Sequence, residues 1–175
     1  MLMSVGASSH EEISNSVEIL KEAGATQITL LHCVLNYPTP KEHAQLAQIP
    51  VLIEKFGEEV SIGYSDHVRP NDDGSMPALE IAALAGARVI EKHFTDDKTA
   101  KGNDHYHAMN SEDLYRFMSR LADYESLQGG PELDLEVQKT AIGNARRRIS
   151  AAEPIAAGSA ITEQSLIALR GNKGL

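Results

Sequence analysis

Apolar residues in the first two-thirds of the chain follow two rhythms: short runs of neighbours, and stripes spaced three or four apart. Leu2 to Val5 is a short apolar run, and Ser8 and Ser9 behind it offer helix N-caps with Glu11 and Glu12 in the first turn. Ile13, Val17, Leu20 and Ala23 then recur at helical spacing as far as Gly24, which predicts an amphipathic helix closed by a glycine. Gln27 to Cys33 reads as a second strand, followed by a loop through Asn36-Tyr37-Pro38-Thr39-Pro40. The next helix is interrupted or restarted at Pro50, with Val51, Leu52 and Phe56 as its apolar face and Gly57 as its stop. Val60 to Tyr64 makes a third strand. After the turn-prone Asn71-Asp72-Asp73-Gly74-Ser75, Pro77 opens an alanine-rich helix to Leu84, and Arg88 to Phe94 is a fourth strand. Ser111 caps a last helix to about Leu127, with Leu114, Phe117, Met118 and Leu121 facing inward.

Strands alternating with helices predict an α/β fold, a parallel sheet covered by helices. Doubly wound sheets and (β/α)8 TIM barrels both fit. A barrel needs about 250 residues, so the 175 present hold at most half of one. The rhythm ends at Gly129-Gly130-Pro131, which divides the chain into an α/β part, 1–128, a linker, 129–145, and the opening of a small β-rich domain, 146–175. Within the linker Asp134 to Asn144 reads as a helix. The last part has β-like pieces around Pro154-Ile155-Ala156-Ala157-Gly158 and a capped turn at Thr162-Glu163-Gln164. The chain opens on a strand already under way and closes abruptly at Gly174-Leu175, so a fragment of something longer is expected.

Composition narrows the function classes. With 42% hydrophobic and 23% charged residues, the chain reads as an ordinary globular protein. A net charge of −9 without a long basic stripe argues against a nucleic acid partner, while leaving room for a local cationic pocket for a phosphate. The single cysteine, Cys33, rules out an intramolecular disulfide and fits a reducing compartment. No apolar run approaches the roughly 20 residues that span a bilayer and no basic-then-apolar leader opens the chain. The expectation is a cytoplasmic protein with no membrane partner.

The chemistry concentrates in Gly63-Tyr64-Ser65-Asp66-His67 and Val89-Ile90-Glu91-Lys92-His93-Phe94, each of which carries a histidine out of a β-like run. If the two strands are parallel, their C-terminal ends lie on the same side. Two neutral imidazoles meeting there suit a divalent metal that keeps positions open for substrate oxygens. Ser65 and Glu91 each lie two residues before a histidine and so share its face, whereas Asp66 and Lys92 alternate to the other face, Asp66 to a structural role.

These words, with Leu31-His32-Cys33 leading to Tyr37-Pro38-Thr39-Pro40, then Asp97-Lys98-Thr99, Gly102-Asn103-Asp104-His105 and Arg147-Arg148, resemble the sialic acid synthase family in the family's own order. That resemblance implies the second half of a (β/α)8 TIM barrel followed by the start of a SAF (antifreeze-like) domain, in an enzyme that works as a swapped homodimer. It implies condensation of phosphoenolpyruvate with N-acetylmannosamine or a related acetamido sugar, assisted by a divalent metal, Mn2+ or Mg2+. By the same comparison His67 and His93 are the metal ligands, and Glu91 and Asp104 are carboxylates that orient or deprotonate a water or bind sugar hydroxyls. Ser65 resembles a phosphate-binding serine, with Ser4 a weaker candidate for the same phosphate. Asn36 and Tyr37 resemble sugar-pocket residues. Arg170 resembles the SAF-domain arginine that reaches the dimer partner's active site, although the family's Arg-Pro-Gly is replaced here by Arg170-Gly171. The family's first four strands carry a glutamate and lysines that have no counterpart here, so the fragment alone is expected to hold part of a site without turnover. His105 and His107 sit on a loop able to close over the site, and Cys33 reads as a packed small apolar residue. Another metal-dependent barrel aldolase or hydrolase, or a non-catalytic remnant acting by association, stand as alternatives.

Overall fold

Ser9 starts the first helix with a reciprocal pair of bonds: its hydroxyl accepts from the Glu12 amide at 3.3 Å, and the Glu12 carboxylate accepts from the Ser9 amide at 2.7 Å. The computed structural model describes residues 1–171. It divides into two compact units, Met1–Gln128 and Gly129–Leu175.

In the first unit strands β1 (Leu2–Ser4), β2 (Thr29–Cys33), β3 (Ser61–Asp66) and β4 (Ile90–Lys92) alternate with helices α1 (His10–Glu22), α2 (Gln48–Phe56), α3 (Pro77–Leu84) and α4 (Ser111–Gln128). The strands form one parallel sheet in the order β1-β2-β3-β4. Register places Ser4 beside Leu31 and Leu31 beside Gly63. One pleat further on, Cys33 lies beside Ser65 and Ser65 beside Glu91. The alternate residues Met3, Leu30, Ile62, Tyr64 and Ile90 join a single core with Ile13 and Val17 of α1, Ile49, Leu52 and Phe56 of α2, Leu79 and Ala82 of α3, and Phe117 of α4. All four helices thus pack on one face of the sheet. A doubly wound sheet would carry helices on both, so the one-sided cover is that of a barrel wall.

Gly63 lets β3 and β4 approach. A Cβ there would lie 2.5 Å from the Val89 carbonyl oxygen, the acceptor for the Tyr64 amide at 2.8 Å. Pro50 does not break its helix, because it falls in the first turn of α2, where its missing N–H would have had no partner. Starting at Gln48, the helix buries Ile49, Leu52 and Phe56, and Val51 turns outward, contrary to expectation. Met118 is likewise exposed, while Leu114, Phe117 and Leu121 pack inward.

In the second unit a 3₁₀ turn (Glu136–Gln138) and α5 (Lys139–Ala145) occupy the stretch expected as a linker. Strands β5 (Arg147–Ala151) and β6 (Leu166–Arg170) then pair antiparallel. Pro154 to Gly158 is loop, closed by a bond from the Ser159 amide to the Ala156 carbonyl. The β-like reading of that stretch fails because a strand needs a partner, and the pairing is taken by the flanking segments. Thr162 caps its turn as expected, with Ser165 supplying the return bond.

Candidate active site at the strand ends

His67 follows the last residue of β3 and His93 the last residue of β4. Their ring centroids lie 5.3 Å apart and nearly perpendicular. The His67 Nδ1 lies 2.9 Å from the Val34 carbonyl oxygen, which can only accept, so Nδ1 carries the proton and Nε2 keeps a free lone pair. Orientation of a ring by a backbone carbonyl is the usual arrangement of an imidazole ligand. His67 is buried and His93 half-buried. These side chains fit a divalent ion.

One pleat below, the Ser65 hydroxyl donates to Glu91 Oε1 at 2.8 Å. Among the described residues Glu91 makes no ion pair, so its carboxylate stays open apart from this one bond. Tyr37, from the loop after β2, lays its ring 3.9 Å from that of His67 and 5.9 Å from that of His93. Its phenol is held above the usual tyrosine range, chiefly by partial burial, with the charges of Asp104 and Glu91 adding. Asp104 Oδ1 is 3.8 Å from His93 Nδ1 and makes no capping bond to its own turn. His67, His93, Tyr37, Ser65, Glu91 and Asp104 therefore gather at one mouth of the sheet. Cys33 is buried beside them, its sulfur 3.8 Å from His67 Nδ1.

Of the remaining candidates, Ser4 and Asn36 lie in the first unit and Arg170 in the second. Ser4 is exposed on the edge strand, one pleat lower, in register with Leu31. Asn36 is exposed, and its backbone carbonyl accepts from the Thr39 hydroxyl at 2.7 Å. Arg170 ends β6 in the second unit, opposite Arg147.

On the other face of the same strands, Asp66 Oδ2 and Lys92 Nζ form an ion pair of 2.8 Å with both side chains 1% exposed. Asp66 Oδ1 also accepts from the Tyr64 hydroxyl at 2.7 Å and the Val68 amide at 2.9 Å. Burial pushes the Lys92 ammonium below the usual lysine range, against the pull of Asp66. This is the structural role expected of Asp66, with Lys92 as its buried partner.

Histidine 107 is the residue that the sequence reading undervalued. It closes a 3₁₀ turn, His105–His107, returned to the end of β4 by bonds from the Met109 amide to the His93 carbonyl and from the Thr95 amide to the Met109 carbonyl, both 2.9 Å. His105 is engaged by the Thr95 hydroxyl at 2.7 Å. His107 is fully buried, its ring centroid 5.2 Å from that of His93, and among the described residues neither ring nitrogen has a partner. Burial, followed by the nearby His93 and Lys92, lowers its pKa. The only available signal was a second histidine two places beyond Asp-His, on a loop without periodicity.

Residues 1–132 match the NeuB family. The chain belongs to that family. It is 32% identical to the pseudaminic acid synthase of Campylobacter jejuni, over 99% of this chain and 49% of that protein. The putative spore coat polysaccharide biosynthesis protein E of Chromobacterium violaceum superposes with a TM-score of 0.76 at 29% identity, covering 97% of this chain and 49% of that one. The N-acetylneuraminic acid synthetase of Leptospira borgpetersenii, solved with citrate, gives 0.69 at 30% identity, covering 81% and 47%. This NeuB chain spans about half the length of the curated relatives it matches, and its four strands with their helices form a curled half-barrel. Among the described residues no helix is long and apolar enough to cross a membrane.

Proposed function

We propose that this NeuB chain contributes the metal-binding half of an active site that condenses phosphoenolpyruvate with N-acetylmannosamine or a related acetamido sugar to a nonulosonic acid and phosphate. The observation that carries this reading is the pair of strand-end imidazoles beside the Ser65–Glu91 couple, both on the sheet face without helices. His67 and His93 would hold the divalent ion, Mn2+ or Mg2+. Such an ion supplies Lewis-acid polarisation of the sugar's open-chain aldehyde.

In the proposed reaction the enol carbon of phosphoenolpyruvate bonds to the aldehyde carbon as the C=O π pair moves onto the aldehyde oxygen, which takes up a proton and becomes a hydroxyl. Water then adds to the carbon bearing the phosphate, which departs. Glu91 accepts the water's proton, its carboxylate being free of cations and tethered only by Ser65. Ser65, with Ser4 as a second candidate, receives the phosphate. Tyr37, Asn36 and Asp104 line the sugar, Asp104 Oδ1 lying 3.8 Å from His93 Nδ1. Residues 146–175 are the opening of a SAF domain, and Arg170 serves the site of a homodimer partner. The setting is cytoplasmic, and turnover requires the barrel's other four strands.

The test measures phosphate release from phosphoenolpyruvate with N-acetylmannosamine and with diacetamido hexoses, using protein in which four further strands complete the barrel. Sugar-dependent release that needs a divalent metal and disappears in Glu91→Gln supports the reading. Failure of every sugar, metal present, overturns it.

A further inference from the structure

An imidazole buried without any hydrogen bond is destabilising, and native structures rarely leave one so without reason. His107 is in that state at both nitrogens. Its ring faces the rings of Tyr37, His93 and Tyr106, at 6.3, 5.2 and 5.0 Å. Such packing satisfies the ring's apolar surface but leaves the nitrogen lone pair without a partner. What the lone pair meets instead is ligand chemistry: one donor atom each from His93, Asp104 and His107 lie within 4.8 Å of one another.

We infer that His107 is a metal ligand which, with His93 and Asp104, forms a two-histidine, one-carboxylate site for a divalent transition ion. The inference deepens the metal reading given above, in which His67 and His93 alone were the protein ligands, and rests on it.

Ligand atoms about 2.1 Å from one ion lie about 3–3.5 Å apart, so closure asks the three groups to converge by about an ångström. The exposed Asp104 carboxylate is free to supply most of that movement. His93 and His107 are held more firmly, because the Met109 amide ties their segments together at the His93 carbonyl. The donor set also sets a preference. Two imidazoles and one carboxylate favour Fe2+, Co2+ or Zn2+ over Mg2+, which prefers oxygen and water. His93 is common to this triad and to the pair with His67.

The test is a Co2+ titration of the whole chain after chelator treatment, followed by visible absorption and calorimetry, with no substrate present. One Co2+ per chain is expected, retained against excess Mg2+. His107→Gln and Asp104→Asn each weaken it by at least about tenfold, the scale seen even for outer-sphere changes. Because Asp104 is exposed, Asp104→Asn decides the matter even if His107→Gln disturbs the fold. Unchanged Co2+ affinity in Asp104→Asn, or in a His107→Gln with native circular dichroism, overturns the inference. Loss of Co2+ in His67→Gln alone would do so while leaving the two-histidine reading in place. A chain that binds no Co2+ also overturns it, and the condensation assay with other metals then decides the proposed function separately.

Discussion

The two faces of β3 and β4 are built from alternate residues of the same strands, yet they treat polar groups in opposite ways. On the helix side, Asp66, Lys92, Tyr64 and His32 are buried and hydrogen-bonded: Asp66 has three partners, and the His32 Nε2 donates to the Ala44 carbonyl at 2.9 Å while its ring stacks on Tyr64. On the open side, Ser65, Glu91, His67, His93 and His107 keep unspent lone pairs. Two buried strand histidines, His32 and His67, thus have different meanings. Both rings are oriented by a carbonyl, but only His67 lies beside a second imidazole, that of His93. A hydrogen-bonded polar group holds a fold together, and one with an unspent lone pair is available to a ligand.

The sharpest way to break this contrast is to unpair the hydrogen-bonded face. Lys92→Met leaves the Asp66 carboxylate buried with two neutral donors and no cation. A loss of about 3–5 kcal/mol is expected, measured by urea unfolding of the chain. A loss below 1 kcal/mol would mean that water reaches this pair. Gly63→Ala comes next. Its new methyl would press on the Val89 carbonyl across the β3–β4 joint, and about 1–3 kcal/mol is expected from the same measurement.

How far the sequence disclosed this division can be judged residue by residue. Period-two alternation was enough to separate Ser65 and His67 from Asp66, and Glu91 and His93 from Lys92. The helix caps were equally readable, because Ser9 and Glu12 act within one turn. What alternation could not give was inter-strand register, on which the Ser65–Glu91 bond depends and which is set by packing of the segment between them. His107 lay further out of reach: its position follows from pairing of the Phe94 and Met109 segments, a tertiary contact with no periodic trace. Val51 and Met118 were misplaced for a smaller reason, since rotating a helix by one residue moves an apolar side chain from core to surface.

A change of pH separates the two kinds of histidine. Burial is the main cause of a lowered pKa at His32, with the Ala44 carbonyl opposing it. Below the ordinary histidine value of about 6.5, the unfolded chain therefore binds a proton that the folded His32 refuses. Stability should fall as pH drops through that value and level off below the folded pKa. His32→Gln should flatten this slope, whatever its stability at neutral pH. An unchanged slope would remove His32 from the hydrogen-bonded set.

The smallest effect belongs to the open face and carries the comparison's converse. Glu91→Gln replaces a carboxylate that is exposed, paired with no cation, and held by one hydroxyl. Its amide oxygen can still accept from Ser65, so unfolding free energy should stay within about 0.5 kcal/mol of the parent chain. The same substitution is expected to abolish condensation in the completed barrel. Stability kept while chemistry is lost is the signature of a group held for a ligand. If instead Glu91→Gln unfolds the chain as readily as Lys92→Met, then Glu91 is one more structural partner and the two faces do not differ in kind.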